Sequence, residues 1–211
     1  MSETTKRVSA NSWFEQFGDG YRQNGYFTCP SDVYAGFLPF VRRSGDILEL
    51  GCGNGMLLRY LRERANHRLT PFGVDIDICA VEAARTTILP DFAENFFVCD
   101  ARSYEDARKF DIVLTNPIFA NPDFYSCPDT PPVVYADGSI RRYLEKCRSL
   151  LRREGHLILY SYEEEHHRIS NFTEVFAQES HGIQFEHGLS SGGGTAYWLL
   201  DCNVDGSAPD L

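Results

Sequence analysis

Residues 46–58 read DILELGCGNGMLL, an apolar run that ends in three glycines at alternate positions and continues into a helical pattern. This stretch constrains the fold more than any other. Gly51, Gly53 and Gly55 fall between a strand over 46–50 and a helix over 55–65. Glycine supplies the tight turn and lets a ligand come close to the main chain. The following helix start offers unpaired N–H groups and the positive end of its dipole. Such a site favours a carboxylate or a phosphate. The dinucleotide fingerprint GxGxxG needs a third glycine at position 56, where this chain has Met56. Glu49 stands two residues before the first glycine, so the pattern is ExGxGxG.

The rest of the chain repeats the strand–helix alternation. Strands are expected at 72–76 (FGVDI), 96–99 (FFVC), 111–115 (DIVLT) and 156–162 (HLILYSY). Helices are expected at 79–88, 140–153 and 165–179. Alternation of this kind implies a parallel sheet covered by helices on both faces, with right-handed crossovers. The last two apolar stretches, IQFEHGLS and TAYWLLDC, are joined by a short Gly-rich link, SGGG. A link that short suits an antiparallel hairpin. The expected fold is therefore α/β, a Rossmann-like, doubly wound, seven-stranded sheet ending in a C-terminal antiparallel hairpin. We expect an N-terminal helical or lid segment over 1–45, the main domain over 46–202 and a disordered tail over 203–211.

Two acidic residues end strands next to the glycine loop. Asp75 closes FGVDI, one βαβ unit beyond Gly51, where a carboxylate can accept both hydroxyls of a ribose. Asp77 is placed to cap the next helix. Asp100 closes FFVCD, and a solvated turn is its plain alternative. Glycine loop and acidic strand end together resemble the first motifs of class I S-adenosylmethionine (SAM)-dependent methyltransferases over residues 24–201. The resemblance implies SAM as cofactor. It implies that Glu49, Gly51, Cys52, Gly53 and Asp75 hold it, and that Ile76 packs on the adenine. Asp100 and the Ala101 N–H then read the amine edge of the adenine. The segment NGYFTCPSDV resembles a Thr-Pro segment that contacts the methionine end of SAM, which implies a role for Thr28; Cys29 interrupts the usual adjacency. Ser31 independently suits the N-cap of a helix through Tyr34 and Phe37.

Substrate is expected beyond the carboxyl ends of the strands. There DIVLT runs into Asn116-Pro117-Ile118-Phe119, which resembles the (D/N)PP(Y/F/W) motif of amino-methylating enzymes, with Ile118 in place of the second proline. The resemblance makes Asn116, Pro117 and Phe119 the acceptor site, with Asn116 also beside the cofactor. An Asn oxygen and a Pro carbonyl accept hydrogen bonds from a planar amine, and the aromatic ring stacks on it. Positioning then supplies much of the catalysis. The alternative is an ordinary strand-ending Asn-Pro turn. The long loop over 116–137 holds five prolines with Phe119, Phe124, Tyr125 and Tyr135, which suits a substrate loop. Upstream, WFEQFGDGYRQNGY reads equally as a lid or as core packing.

Composition narrows the partners. A formal net charge of −10 disfavours a polyanion and favours a small molecule or a protein side chain over nucleic acid. No apolar run is long enough for a membrane span and the first residues lack a signal-peptide core, so a cytoplasmic protein is expected. The seven cysteines are odd in number and unpaired in spacing, which reads as free thiols without a metal site. The adjacent His166 and His167 read as a solvated helix start, with a general-base role open if the acceptor is a hydroxyl. Arg141, Arg142, Lys146, Arg148, Arg152 and Arg153 are expected on the exposed side of one helix, with an RNA or phosphate contact as alternative. The function expected is methyl transfer to a nitrogen. Its rivals are a small-molecule O-methyltransferase, a base amino-methyltransferase, a nicotinamide oxidoreductase and a non-catalytic SAM-binding protein.

Overall fold

The computed structural model describes residues 31–116, 139–162, 185–189 and 195–201. The expected helix at 165–179, the loop over 117–138 with Pro117 and Phe119, and Thr28 lie outside them. A short helix α1 (Ser31–Gly36) and a 3-10 turn (Leu38–Phe40) lead into β1 (Gly45–Leu50). Then follow α2 (Met56–Arg64), β2 (Leu69–Asp75), α3 (Ile78–Ala83), β3 (Phe96–Val98), β4 (Phe110–Thr115), α4 (Ser139–Leu150) and β5 (Leu151–Tyr162).

β1 to β5 form a parallel sheet in the order β3-β2-β1-β4-β5. The order reverses between β1 and β4, the point at which doubly wound sheets leave a crevice beyond their carboxyl ends. β6 (Phe185–Leu189) and β7 (Thr195–Asp201) add on the β5 side, β7 antiparallel to β5 and β6 antiparallel to β7.

Strand parity divides the core. Ile47, Ile112, Leu114, Ile158 and Tyr160 face α1, α2 and α3 in one cluster, with Tyr34, Phe37, Phe40 and Val41 of the segment before β1. Leu48, Leu50, Val74, Val113, Leu157 and Leu159 face the other way, against Tyr143, Leu144 and Cys147 of α4. Both faces of a parallel sheet are thus covered, which is why its strands read as unbroken apolar runs.

Several boundaries differ from expectation. β2 begins at Leu69, three residues early, and takes in Pro71. Proline is tolerated there because β3 pairs only with residues 73–75, so no ladder hydrogen bond is asked of it, while Asn95 donates to the Pro71 carbonyl at 3.0 Å. β3 stops at Val98, one residue short. α1 ends at Gly36, leaving Phe37 in the turn after it. The expected helix over 79–88 is α3 followed by one wider turn, closed by the Leu89 N–H on the Ala84 carbonyl at 2.8 Å.

The largest correction concerns the basic helix. α4 ends at Leu150, so Arg152 and Arg153 belong to β5. Arg152 stays exposed but is anchored by two carboxylates. It pairs with Asp46 at 3.0 Å and with the buried Asp111, which also accepts the Asp46 N–H at 2.9 Å. Arg43 meets the other carboxylate oxygen of Asp111 at 3.5 Å. These groups knit together the amino ends of β1, β4 and β5, away from the crevice. A helical periodicity count cannot see that requirement, because it is set by residues 41 and 106 positions away.

Candidate active site

The glycine loop is fixed by main-chain bonds. Gly51, Gly53 and Gly55 all have positive φ, at 84°, 51° and 77°. Such values strain any residue with a Cβ, so the local sequence can turn this tightly only with glycine. The Val74 carbonyl accepts from both the Gly51 and the Cys52 N–H, at 2.8 and 2.9 Å. Asn54 is buried, and its Oδ1 accepts the Met56 N–H at the start of α2 at 3.3 Å. A Cβ added to Gly51 would meet nothing within 4 Å, so the loop faces open space there. Met56, in the place of a third dinucleotide glycine, is buried in the core.

Asp75 ends β2 directly beneath this loop. One carboxylate oxygen accepts the Gly53 N–H at 2.7 Å and the other accepts the Asp77 N–H at 2.9 Å. Each oxygen keeps lone-pair capacity for a further donor such as a sugar hydroxyl. Asp77 caps α3, accepting from the Cys79 and Ala80 N–H groups at 2.8 and 3.2 Å. Beside it Ile76 is 73% exposed, and Ile78, Phe97 and Val98 are exposed as well.

Glu49 lies one step before the end of β1 and is almost wholly buried. Tyr160 on β5 donates its hydroxyl to Glu49 Oε1 at 3.0 Å. Oε2 has no hydrogen-bond partner among the described residues. Burial pushes the Glu49 carboxyl well above its usual range; the Tyr160 hydrogen bond opposes this, and the nearby Asp75 charge adds to it. The Cys52 thiol is also pushed up, first by burial and then by Glu49 and Asp75. It is packed as an apolar side chain and is not primed as a nucleophile.

Asp100 follows β3 with both oxygens engaged by Arg102. The guanidinium Nε is 3.0 Å from each oxygen and the Arg102 N–H is 2.8 Å from Oδ1. That pairing holds its carboxyl below the usual range. The neighbouring Ala101 is partly buried. Asn116 follows Thr115, whose Cα partner on β1 is Leu50, so Asn116 stands next to Gly51 across the switch point. The Asn116 side chain is partly buried.

The structure thus brings Glu49, Gly51, Cys52, Gly53, Asp75, Ile76 and Asn116 to the carboxyl ends of β1, β2 and β4. Asp100 and Ala101 follow the adjacent β3. Three contributors escape a reading of the sequence. Tyr160 supports Glu49 from two strands away. Thr115, buried at the end of β4, donates to the Leu50 carbonyl at 3.0 Å, and its Oγ1 is 2.8 Å from the Tyr143 hydroxyl. Asn54 shapes the loop. Only the alternation of β5 hints at Tyr160, and it does not say which partner the hydroxyl meets.

Comparison with known proteins places this arrangement. The family model of the methyltransferase small domain matches residues 31–180. No curated protein matches the chain in sequence. A Pyrococcus furiosus methyltransferase structure superposes with a TM-score of 0.58 at 15% identity, over 92% of this chain and 97% of that one. The ribosomal protein L11 methylase of Lactobacillus delbrueckii subsp. bulgaricus gives 0.54 at 12% identity, over 81% and 76%. A Listeria monocytogenes structure described as a class I SAM-dependent methyltransferase gives 0.56 at 16% identity, over 86% of this chain but only 63% of that one. At such identities the structures share the fold, while the family model covers most of the chain. Among the described residues no helix is long and apolar enough to cross a membrane. The chain belongs to the SAM-dependent methyltransferases of the small domain family.

Proposed function

We propose that this chain transfers a methyl group from SAM to a nitrogen of a small molecule or a protein side chain. Bound SAM supplies an electrophilic sulfonium methyl. The chain's own residues bind, orient and shield. Gly51, Cys52 and Gly53 offer a close main-chain approach, Asp75 takes the ribose hydroxyls and Ile76 covers the adenine. Asp100, held by Arg102, keeps Ala101 at the adenine edge, and Thr28 reaches the amino-acid end. We further propose that the domain is the seven-stranded sheet with a C-terminal hairpin that the sequence predicts, preceded by 1–45 as an N-terminal segment.

One observation carries the choice of nitrogen. Asn116 follows β4 and so stands beside Gly51, where its amide oxygen would face the methyl-bearing end of a cofactor held by the loop. With the Pro117 carbonyl it accepts hydrogen bonds from an amine and aims the lone pair, while Phe119 stacks on the acceptor. No strong base is then needed, and orientation supplies the rate. The net charge of −10 favours an acceptor that is not a polyanion.

The test is titration calorimetry with SAM and S-adenosylhomocysteine, followed by turnover on a panel of amine acceptors. Binding by the intact chain supports the cofactor reading, and absence of binding ends it. Asn116→Ala keeps cofactor affinity and lowers turnover by at least about a hundredfold, a typical loss when a positioning contact goes. Unchanged turnover removes the amine-orienting role.

A further inference from the structure

Two acidic side chains, Glu49 and Asp75, stand close together at the crevice, and they are supported differently. Asp75 is partly buried and is held by two main-chain N–H groups. Glu49 is enclosed, receives one neutral hydroxyl on Oε1 and has nothing on Oε2 among the described residues. A buried carboxylate with an empty oxygen is costly unless a donor or a cation completes it. The neighbouring Asp75 charge makes a cation the better complement.

Tyr160 is itself held in place. Its ring meets Phe37 edge-on, with centroids 5.0 Å apart and planes at 85°. Phe37 is fully buried between α1 and β1. Glu49 lies beside Leu114 on β4, and Leu114 beside Ile158 on β5, so Tyr160 reaches Glu49 from two residues further along the same sheet face. The segment before β1 therefore packs the ring whose hydroxyl fixes Glu49.

We propose that Tyr160 is a positioning residue: by holding Glu49 Oε1 it presents Oε2 to the ammonium of the amino-acid half of the ligand. This rests on the cofactor reading above. Tyr160 touches no ligand atom and acts through Glu49. Its contribution is confined to ligands that carry the ammonium.

The experiment compares S-adenosylhomocysteine, which has that ammonium, with 5′-methylthioadenosine, which lacks the amino-acid half. Calorimetry is run on the full chain and on Tyr160→Phe, which retains the ring against Phe37. The expected result is a loss of about tenfold for S-adenosylhomocysteine, the size of one hydrogen bond to a charged group. Methylthioadenosine affinity stays within about twofold, a difference too small to represent a lost hydrogen bond. The pH below which S-adenosylhomocysteine affinity falls also moves upward, because the hydroxyl no longer favours the charged carboxylate. The double variant with Glu49→Gln loses no more than Glu49→Gln alone, since Tyr160 acts only through that carboxylate. Equal losses for both ligands, or no loss for either, overturn the proposal, as does additivity in the double variant. If Tyr160→Phe does not fold, the Glu49→Gln chain decides: equal losses of both ligands there refute the ammonium contact. Failure of the wild-type chain to bind either ligand refutes the cofactor reading instead.

Discussion

The carboxylate of Asp75 holds the N–H of Gly53 at 2.7 Å, so the acidic residue at the end of β2 is a structural brace of the glycine loop. The same side chain holds the Asp77 N–H at the entrance to α3. A substitution here disturbs two main-chain contacts at once.

Asp75→Ala is expected to weaken S-adenosylhomocysteine at least tenfold, since each hydrogen bond to a charged group is worth about 1.5–3 kcal/mol. Asp75→Asn retains the Gly53 contact through its amide oxygen and loses less. Calorimetry on both variants checks the order, and equal affinities would refute the bracing role.

Gly73 is glycine for want of space. A Cβ there would lie 2.5 Å from the Phe96 ring and 2.6 Å from the Cys52 sulfur. Gly73→Ala therefore destabilises the fold by about 1–3 kcal/mol, the usual range for overpacking a core. Because Cys52 belongs to the loop, ligand affinity drops with it. Thermal melts with and without S-adenosylhomocysteine measure both effects.

Thr115 ties β4 to β1 and to α4. Its hydroxyl has one proton, which goes to the Leu50 carbonyl, so the Tyr143 hydroxyl donates to Thr115 Oγ1. Thr115→Val removes one hydrogen bond from the Leu50 carbonyl and one from the Tyr143 hydroxyl. The expected cost is about 1–3 kcal/mol in denaturant unfolding. A cost near zero would mean that water fills the gap.

Glu49 makes stability fall as pH rises. Its folded carboxyl holds its proton to higher pH than the ordinary value of 4.5, because burial disfavours the charge. The native chain therefore binds more protons than the unfolded chain above that value. The stabilisation is complete below pH 4.5 and is lost as pH climbs through the raised folded value. Glu49→Gln flattens that slope, and unfolding free energies measured across this range check it. A slope unchanged by the substitution would mean that Glu49 titrates normally.

Much of this was legible because short-range rules carry it. The glycines of 51–55 announce a turn that other residues cannot make, and Asp75 announces itself by its place one βαβ unit on. Strand parity in DILEL and DIVLT was too apolar to show which face each residue takes, yet it marked both as buried. What the sequence hid is long-range. Arg152 continues a helical pattern by its spacing, but the charge of Asp111 makes it useful as a strand residue. Tyr160 looks like any core aromatic until β5 is laid two strands from β1. Asp100 reads as a free ligand until its neighbour Arg102 folds back over it.

The Val74 carbonyl accepts two successive loop amides, from Gly51 and Cys52. That shared acceptor is itself part of β2, which is paired on both sides, by β1 and β3. The turn therefore has no hinge of its own: to open it, β1 must be peeled from β2. A guest molecule meets a cradle already set in shape, one that endures for as long as the sheet beneath it does.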